Sequence, residues 1–220
     1  MLCALLCLAV AATLLAQPPP DRNAALFEAI GKGDSAKVRE LLAGGVDPNA
    51  RSRTYPALVL AYFANRPESP AIIAALLKAG ADSSAVASDR KAAPQWAVEQ
   101  PKLELLDAFL DNGVSPDWKN RNQESLLGIA SAYGHAPLVM RLLERGAKIN
   151  AQDDEGFTPL MNACQNRHVE VVRVLVEKGA DKSIQNRYGD SALSLVRGKY
   201  DDTQASKVRK QIAALLDAQR

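Results

Sequence analysis

The sequence predicts an all-α solenoid of about six helix-turn-helix units with projecting turns, and three observations support this fold class. A glycine-led tripeptide recurs at almost constant spacing, at Gly45-Val46-Asp47, Gly80-Ala81-Asp82, Gly113-Val114-Ser115, Gly146-Ala147-Lys148 and Gly179-Ala180-Asp181. Between successive glycines lie two short segments in which apolar residues follow a helical period. Hydrophobic residues make up 47% of the chain but aromatic residues only 5%, which favours helices packed closely on helices.

The unit at 153–185 shows the pattern most clearly. Thr158 can cap its first helix, and Pro159 suits the first helical turn. A second helix is predicted from about Val169 to Lys178, because apolar residues recur there at helical spacing. Gly179 should end that helix, since the left-handed backbone conformation costs little only for glycine.

The same spacing divides the chain into units at approximately 21–50, 51–86, 87–119, 120–152, 153–185 and 186–220. The first unit is expected to be an N-terminal cap. The last unit carries an insertion at 198–203 before a basic final helix, predicted from Lys207 to Ala218. Irregular outer units are expected in a repeat array, because a terminal repeat faces water on one side.

Four prolines mark irregular units in the first half of the chain. Pro67 and Pro70 are expected to break a helix and to lengthen the loop between the two helices of the second unit. Pro94 falls at a helix start in the third unit, and Pro101 is expected to open the second helix there.

The N-terminal segment 1–16 is a run without one charged residue, followed by a Pro-rich linker at 17–20. Sixteen residues are short for a membrane span, which needs roughly 20, and they fit the apolar region of a secretory signal cleaved near Ala16. No Lys or Arg precedes the run, and Leu14 stands where a small residue is usual, so a retained anchor stays an alternative. We expect an exported protein, most simply periplasmic, with no membrane association beyond this segment.

Residues from Asp21 to the end, about 200 in all, resemble the ankyrin repeat family. The resemblance rests on Gly156-Phe157-Thr158-Pro159-Leu160, on Ala163, on the Gly134-His135 pair and on the glycine-led turns. Met161 departs from the family pattern, because it replaces the histidine of the usual T-P-L-H tetrapeptide. The resemblance implies L-shaped units whose turns project as fingers and whose first helices line a concave surface.

Binding in this family typically uses the finger tips and the exposed side of the first helices, so the resemblance implies a non-catalytic protein–protein interaction module. Carried over position by position, the predicted partner-binding residues are Tyr55, Phe63, Lys91, Arg121, Glu124, Tyr133, Asp154, Glu155, Phe157, Arg187 and Tyr188. Five of the nine Phe and Tyr residues fall in this set, and aromatic side chains are favoured at interface hot spots. A toxin-neutralising inhibitor and a helper of an oxidative-stress enzyme are alternatives between which the residues do not select. We expect a monomer.

No catalytic, cofactor-binding or metal-binding residue is predicted. His135 and His168 occupy the same repeat position, which indicates a structural role, and Cys164 is interpreted as a small buried hydrophobic residue. An enzyme that uses these three residues is the remote alternative. The acidic run 153–155 is interpreted as a solvated finger tip rather than a calcium site. A net charge of only +2 gives no reason to expect a nucleic-acid partner.

The two tryptophans are assigned to packing. Trp96 falls on an inner helical position and is expected in the core. Trp118 follows the turn of the third unit and is expected to pack between repeats.

Overall fold

The computed structural model describes residues 21–53, 55–197 and 203–217. The predicted signal segment, the Pro-rich linker and all but the last residue of the predicted insertion therefore lie outside the described residues. Within the described ranges the chain forms twelve α-helices and no strand longer than an isolated bridge. The prediction of an all-α fold built from helix pairs is confirmed.

The described residues divide into two compact units, each larger than a predicted repeat, and the boundary lies between Ala81 and Asp82. These two are called the first unit and the second unit below. The described residues of the first unit form four helices: α1 (Arg22–Lys32), α2 (Ser35–Ala43), α3 (Ala57–Ala64) and α4 (Ser69–Lys78). α1 packs against α2 and α3, and α4 packs against α2 and α3. The first helices of the two repeats, α1 and α3, therefore pack on each other, and so do the second helices, α2 and α4. This is the arrangement of a helical repeat. Large apolar side chains are fully buried here, among them Leu26, Ile30, Tyr62 and Ile72.

The part of the second unit that the structure describes forms eight helices: α5 (Ala93–Glu99), α6 (Leu103–Asp111), α7 (Leu126–Ala132), α8 (Ala136–Glu144), α9 (Pro159–Gln165), α10 (Val169–Glu177), α11 (Ala192–Arg197) and α12 (Thr203–Asp217). The odd-numbered helices contact one another in chain order and form one layer. The even-numbered helices form the second layer in the same way. One continuous apolar core runs between the layers, from Val98 to Leu216.

The predicted helix signals are confirmed in detail. The Thr158 hydroxyl accepts a hydrogen bond from the Met161 amide at 3.3 Å and so caps α9. The backbone leaves α10 through Gly179, whose φ is +87°. A residue with a side chain would be strained in that conformation, so the recurring glycine has a direct physical cause.

Helix α10 is covered more widely than one apolar stripe predicts. Val171 and Val174 are buried together with Val172 and Leu175. The cause is the number of neighbours, because α10 packs against α8, α9 and α12 at once. A helix inside a stack therefore needs apolar residues on more than one side.

Three expectations about helix starts are corrected. Pro70 lies in the first turn of α4, where its missing N–H costs nothing, and the lengthened loop is confined to 65–68. Pro101 precedes α6 by two residues instead of opening it. The final helix begins at Thr203 rather than Lys207, because its first turn is polar and an apolar period does not reveal it.

Candidate protein-interaction surface

Three of the finger turns are closed by short polar side chains at one repeat position. Asn120, Asp153 and Asn186 each accept two backbone hydrogen bonds through Oδ1, at 2.8–3.0 Å, from the amides two and four residues later. The turn is thereby held without a long strand pair. This role was not predicted, although the recurrence of Asn or Asp every 33 residues indicates it in the sequence.

In the first unit, two predicted binding residues form one aromatic cluster. The Tyr55 and Phe63 rings lie 5.4 Å apart between centroids, and Phe63 also meets the ring of Tyr62 edge-on at 5.3 Å. Tyr62 is fully buried while Phe63 remains 40% exposed. The buried ring thus anchors an accessible aromatic surface, which is the geometry expected of a contact residue.

Lys91 lies in the second unit at the start of a polar cluster on α5. Its Nζ donates to Glu99 at 2.5 Å and stands 4.6 Å from the centre of the Trp96 ring. Burial lowers the pKa of Lys91, but the hydrogen bond and the charge of Glu99 outweigh it and hold the pKa above its ordinary value. Gln95 donates to the other Glu99 oxygen at 2.8 Å. Lys91 therefore has a structural role in this cluster. The prediction that Trp96 lies in the core is wrong, because Trp96 is half-buried below Lys91.

The next finger presents two different side chains. Glu124 is half-buried and accepts a hydrogen bond from the Asn120 amide group at 2.6 Å. Arg121 is exposed and makes no ion pair within the part of the chain that the structure describes. Tyr133, at the end of α7, is 48% exposed and stacks on His135 with 6.1 Å between ring centres. Arg121 and Tyr133 are therefore the accessible members of this group.

The last two fingers are joined by a polar network. Arg187 Nη2 donates to Glu155 at 2.5 Å and to the Tyr188 hydroxyl oxygen at 2.8 Å. The Tyr188 hydroxyl in turn donates to Glu155 at 3.3 Å, and the Arg187 guanidinium lies 5.0 Å from the Tyr188 ring centre. Tyr188 is still 60% exposed, and Asp154 is exposed beside this network. The network fixes the orientation of a large accessible aromatic side chain.

Phe157 differs from the other predicted aromatic contacts. It is only partly exposed, and it packs against the apolar core of the second unit. Its amide is held by Asp153 at 2.8 Å. Replacing Phe157 would therefore disturb the fold as well as any surface, which makes it a poor probe of binding.

The two histidines link neighbouring repeats. His168 Nε2 donates to the Ala132 carbonyl oxygen at 2.9 Å, and His135 Nε2 donates to the Glu99 carbonyl oxygen at the same distance. Because a carbonyl group only accepts, Nε2 must carry the hydrogen in both rings. Each histidine thus ties its own repeat to the backbone of the preceding one.

Cys164 is buried in α9 with 2% exposure, and burial raises the pKa of its thiol to about 12. A thiol in that environment is protonated at neutral pH and is a poor nucleophile. Among the residues that the structure describes, no group of His, Cys, Asp and Glu side chains has the geometry of a metal site. None of the described helices is long and apolar enough to cross a membrane.

These observations define a class: a helical repeat scaffold that carries exposed aromatic and charged side chains on rigid turns. Comparison with known proteins gives the class its family. Residues 95–186 match the family model described as ankyrin repeats, in three copies. Residues 95–186 are therefore ankyrin repeats, and ankyrin repeats are a generic protein–protein interaction module.

Two solved structures share the fold. An ankyrin repeat domain from Acinetobacter baumannii superposes with a TM-score of 0.71 at 24% identity, over 87% of this chain and 95% of that one. The ankyrin repeat protein EF0377 superposes with a TM-score of 0.71 at 28% identity, over 89% of this chain and 96% of that one.

Curated relatives are similar over part of their length. The chain is 29% identical over 160 residues to the human SH3 and multiple ankyrin repeat domains protein 2, covering 72% of this chain and 9% of that protein. It is 35% identical over 135 residues to the mouse B-cell lymphoma 3 protein homolog, covering 59% of this chain and 30% of that protein. The chain therefore spans less than a third of the length of these relatives.

Proposed function

We propose that this protein is a non-catalytic binding module that holds a protein partner on its fingers and on the exposed side of its first helices. The observation that carries the proposal is Tyr188, 60% exposed yet oriented by the Arg187 and Glu155 network. An aromatic side chain already fixed in place loses little conformational entropy when a partner covers it. Tyr133 on its stacked His135 has the same character.

The charged residues support the proposal in different degrees. Arg121 and Asp154 are exposed and accessible to a partner. Lys91 and Glu124 are half-buried and engaged by neighbours, so they support the surface rather than contact a partner strongly. In the first unit, Phe63 with Tyr55 supplies a separate aromatic contact.

The test is capture of a partner from the compartment where the protein resides, followed by mass spectrometry. Replacing Tyr133 and Tyr188 together by Ala should leave the helical circular dichroism unchanged and abolish specific capture. A matched control replaces Met140, which is 42% exposed on the second-helix layer, by Ala and should retain capture. Undiminished capture by the tyrosine variant would refute the surface.

We further propose export to the periplasm with cleavage near Ala16, and action there as a monomer. The support is the uncharged apolar segment and the Pro-rich residues after it. Mass measurement of the chain recovered from a cell fraction tests this. A mature N-terminus at Gln17 in the periplasmic fraction agrees with the proposal, and an intact chain in the membrane fraction indicates a retained anchor instead.

A further inference from the structure

A groove in the second unit lies between the finger turns at residues 86–92 and 118–121. Its volume is about 260 Å³. Three cationic side chains line it, Arg90, Lys119 and Arg121, and no carboxylate does. Between them stand the apolar side chains of Val86 and Trp118. Three cations beside apolar side chains attract a negatively charged group that is attached to an apolar one.

The positive charges of this groove are not neutralised from within. Arg90 and Arg121 are exposed and make no ion pair with any residue that the structure describes. Lys119 donates at 2.9 Å to the backbone carbonyl oxygen of Gln152, a neutral group that leaves the ammonium charge in place. Elsewhere on this unit, cations such as Arg145 and Arg187 are paired with carboxylates.

The turns that carry these cations are rigid. Arg90 adopts a φ of +66°, in a turn closed by a 3.0 Å bond from its amide to the Ala87 carbonyl oxygen. Arg121 lies in the turn that Asn120 closes through two backbone amides. Because the backbone is already ordered, binding costs only the side-chain freedom of the arginines.

The opposite side of the same cleft decides which anion fits. Asp89 and Glu124 line it, and both are held in their own turns, Asp89 by the Lys91 amide at 3.1 Å and Glu124 by Asn120. These carboxylates would repel a long polyanion that followed the cleft. A short acidic segment of a protein, with one or two carboxylates and a neighbouring apolar side chain, needs only the three cations and the apolar residues of the groove.

We infer that this groove binds an acidic segment of the partner protein, with Arg90 and Arg121 as its specificity-determining residues. The inference rests on the proposed function, since it assigns the chemistry of the partner at one part of the surface. Recognition of this kind depends on salt, because exposed charges are screened beyond about 10 Å at 0.1 M ionic strength.

The experiment uses an eight-residue fluorescent peptide with two glutamates and two leucines, titrated with the whole chain while its anisotropy is recorded. A second peptide carries glutamine at each glutamate position. We expect the glutamate peptide to bind about tenfold more tightly than the glutamine peptide and to weaken as salt is raised. In amide correlation spectra, its shifts should centre on Trp118 and the two finger turns.

The variant Arg90→Asp with Arg121→Glu should reduce affinity for the glutamate peptide about tenfold or more. Its control, Arg167→Asp with Arg39→Glu, changes the net charge equally at exposed positions away from the groove, and Arg167 shares a positive φ of +63° with Arg90. The control should retain the affinity of the natural chain.

Equal loss in both variants, equal binding of the two peptides, no binding at millimolar concentration, or tighter binding of an oligonucleotide would each overturn the inference. The outcome is separable from that of the proposed function. A chain that loses its captured partner on replacement of Tyr133 and Tyr188, but ignores the acidic peptide, keeps the binding role and excludes this groove.

Discussion

Gly134 offers the sharpest test of how the repeats are joined. Its φ is +79°, which costs an alanine about 1 kcal/mol or more. A Cβ added there would also stand 2.7 Å from Cε1 and 2.8 Å from Cγ of the His168 ring. The ring would have to move, and its 2.9 Å bond to the Ala132 carbonyl oxygen would be lost, for about 1 kcal/mol more. We expect Gly134→Ala to lower the free energy of unfolding by about 2–3 kcal/mol in total.

Urea unfolding followed by circular dichroism at 222 nm measures this. With a slope of about 2 kcal/mol per molar urea, the midpoint should fall by roughly 1 M. Gly146→Ala is the matched control, because Gly146 has a φ of +86° but no atom within 4 Å of its added Cβ. It should cost only the backbone strain.

A double-mutant cycle separates the two causes. In a His168→Ala background the ring is absent, so Gly134→Ala should cost about 1 kcal/mol, as Gly146→Ala does. An unchanged cost of Gly134→Ala in that background would refute the reasoning, because the collision with His168 would then contribute nothing.

Three further predictions each concern one residue. Arg167 occupies the position of Gly134 one repeat later with a φ of +63°, so Arg167→Gly should raise the free energy of unfolding by about 0.5 kcal/mol and the urea midpoint with it, and a lowered midpoint would contradict this. Cys164, with its pKa raised by burial to about 12, should react with iodoacetamide at pH 8 about 1,000-fold more slowly folded than in urea; equal rates would show that the thiol is accessible. Asp107 accepts from Arg141 at 2.9 Å and Arg145 at 3.2 Å, so Asp107→Asn should cost about 1 kcal/mol at low salt and less at 1 M, and a salt-independent cost would exclude an electrostatic origin.

The pKa of Cys164 also sets an alkaline dependence of stability. The unfolded thiol loses its proton near its ordinary pKa of 9.0, while the folded thiol keeps it to about 12. Between these values the folded chain binds more protons than the unfolded chain, so the contribution of Cys164 is present below pH 9 and declines as pH rises. The difference in stability between the natural chain and Cys164→Ala should therefore shrink from pH 9 upward.

Much of the fold was predictable because its signals are local. A capping hydroxyl at Thr158, a proline after it and a left-handed glycine at Gly179 each act within one turn of helix. The start of the final helix was not predicted, because Thr203 begins a polar turn in which no apolar residues recur at helical spacing. The wider burial of α10 could not be predicted from one apolar stripe, because it depends on three neighbouring helices.

The surface was harder to predict because exposure depends on what each side chain meets. Lys91 and Glu99 lie eight residues apart in sequence, and only the turn before α5 brings the ammonium onto the carboxylate and over Trp96. Phe157 shares its repeat position with Lys91, yet it packs into the core. A position in a repeat therefore fixes where the backbone lies, while the neighbours decide whether the side chain is available.

The same contrast connects the scaffold to binding. His135 and His168 have hydrogen-bond partners in the preceding repeat, so the groups that hold the array together are already satisfied. Arg90 and Arg121 have no such partner among the described residues, and Tyr188 keeps most of its ring in solvent. These charges and rings are in contact with water, and a partner that covers them can pair the charges and bury the aromatic surface. Selection on stability alone gives no reason to keep them, which is the physical argument for a partner at these fingers.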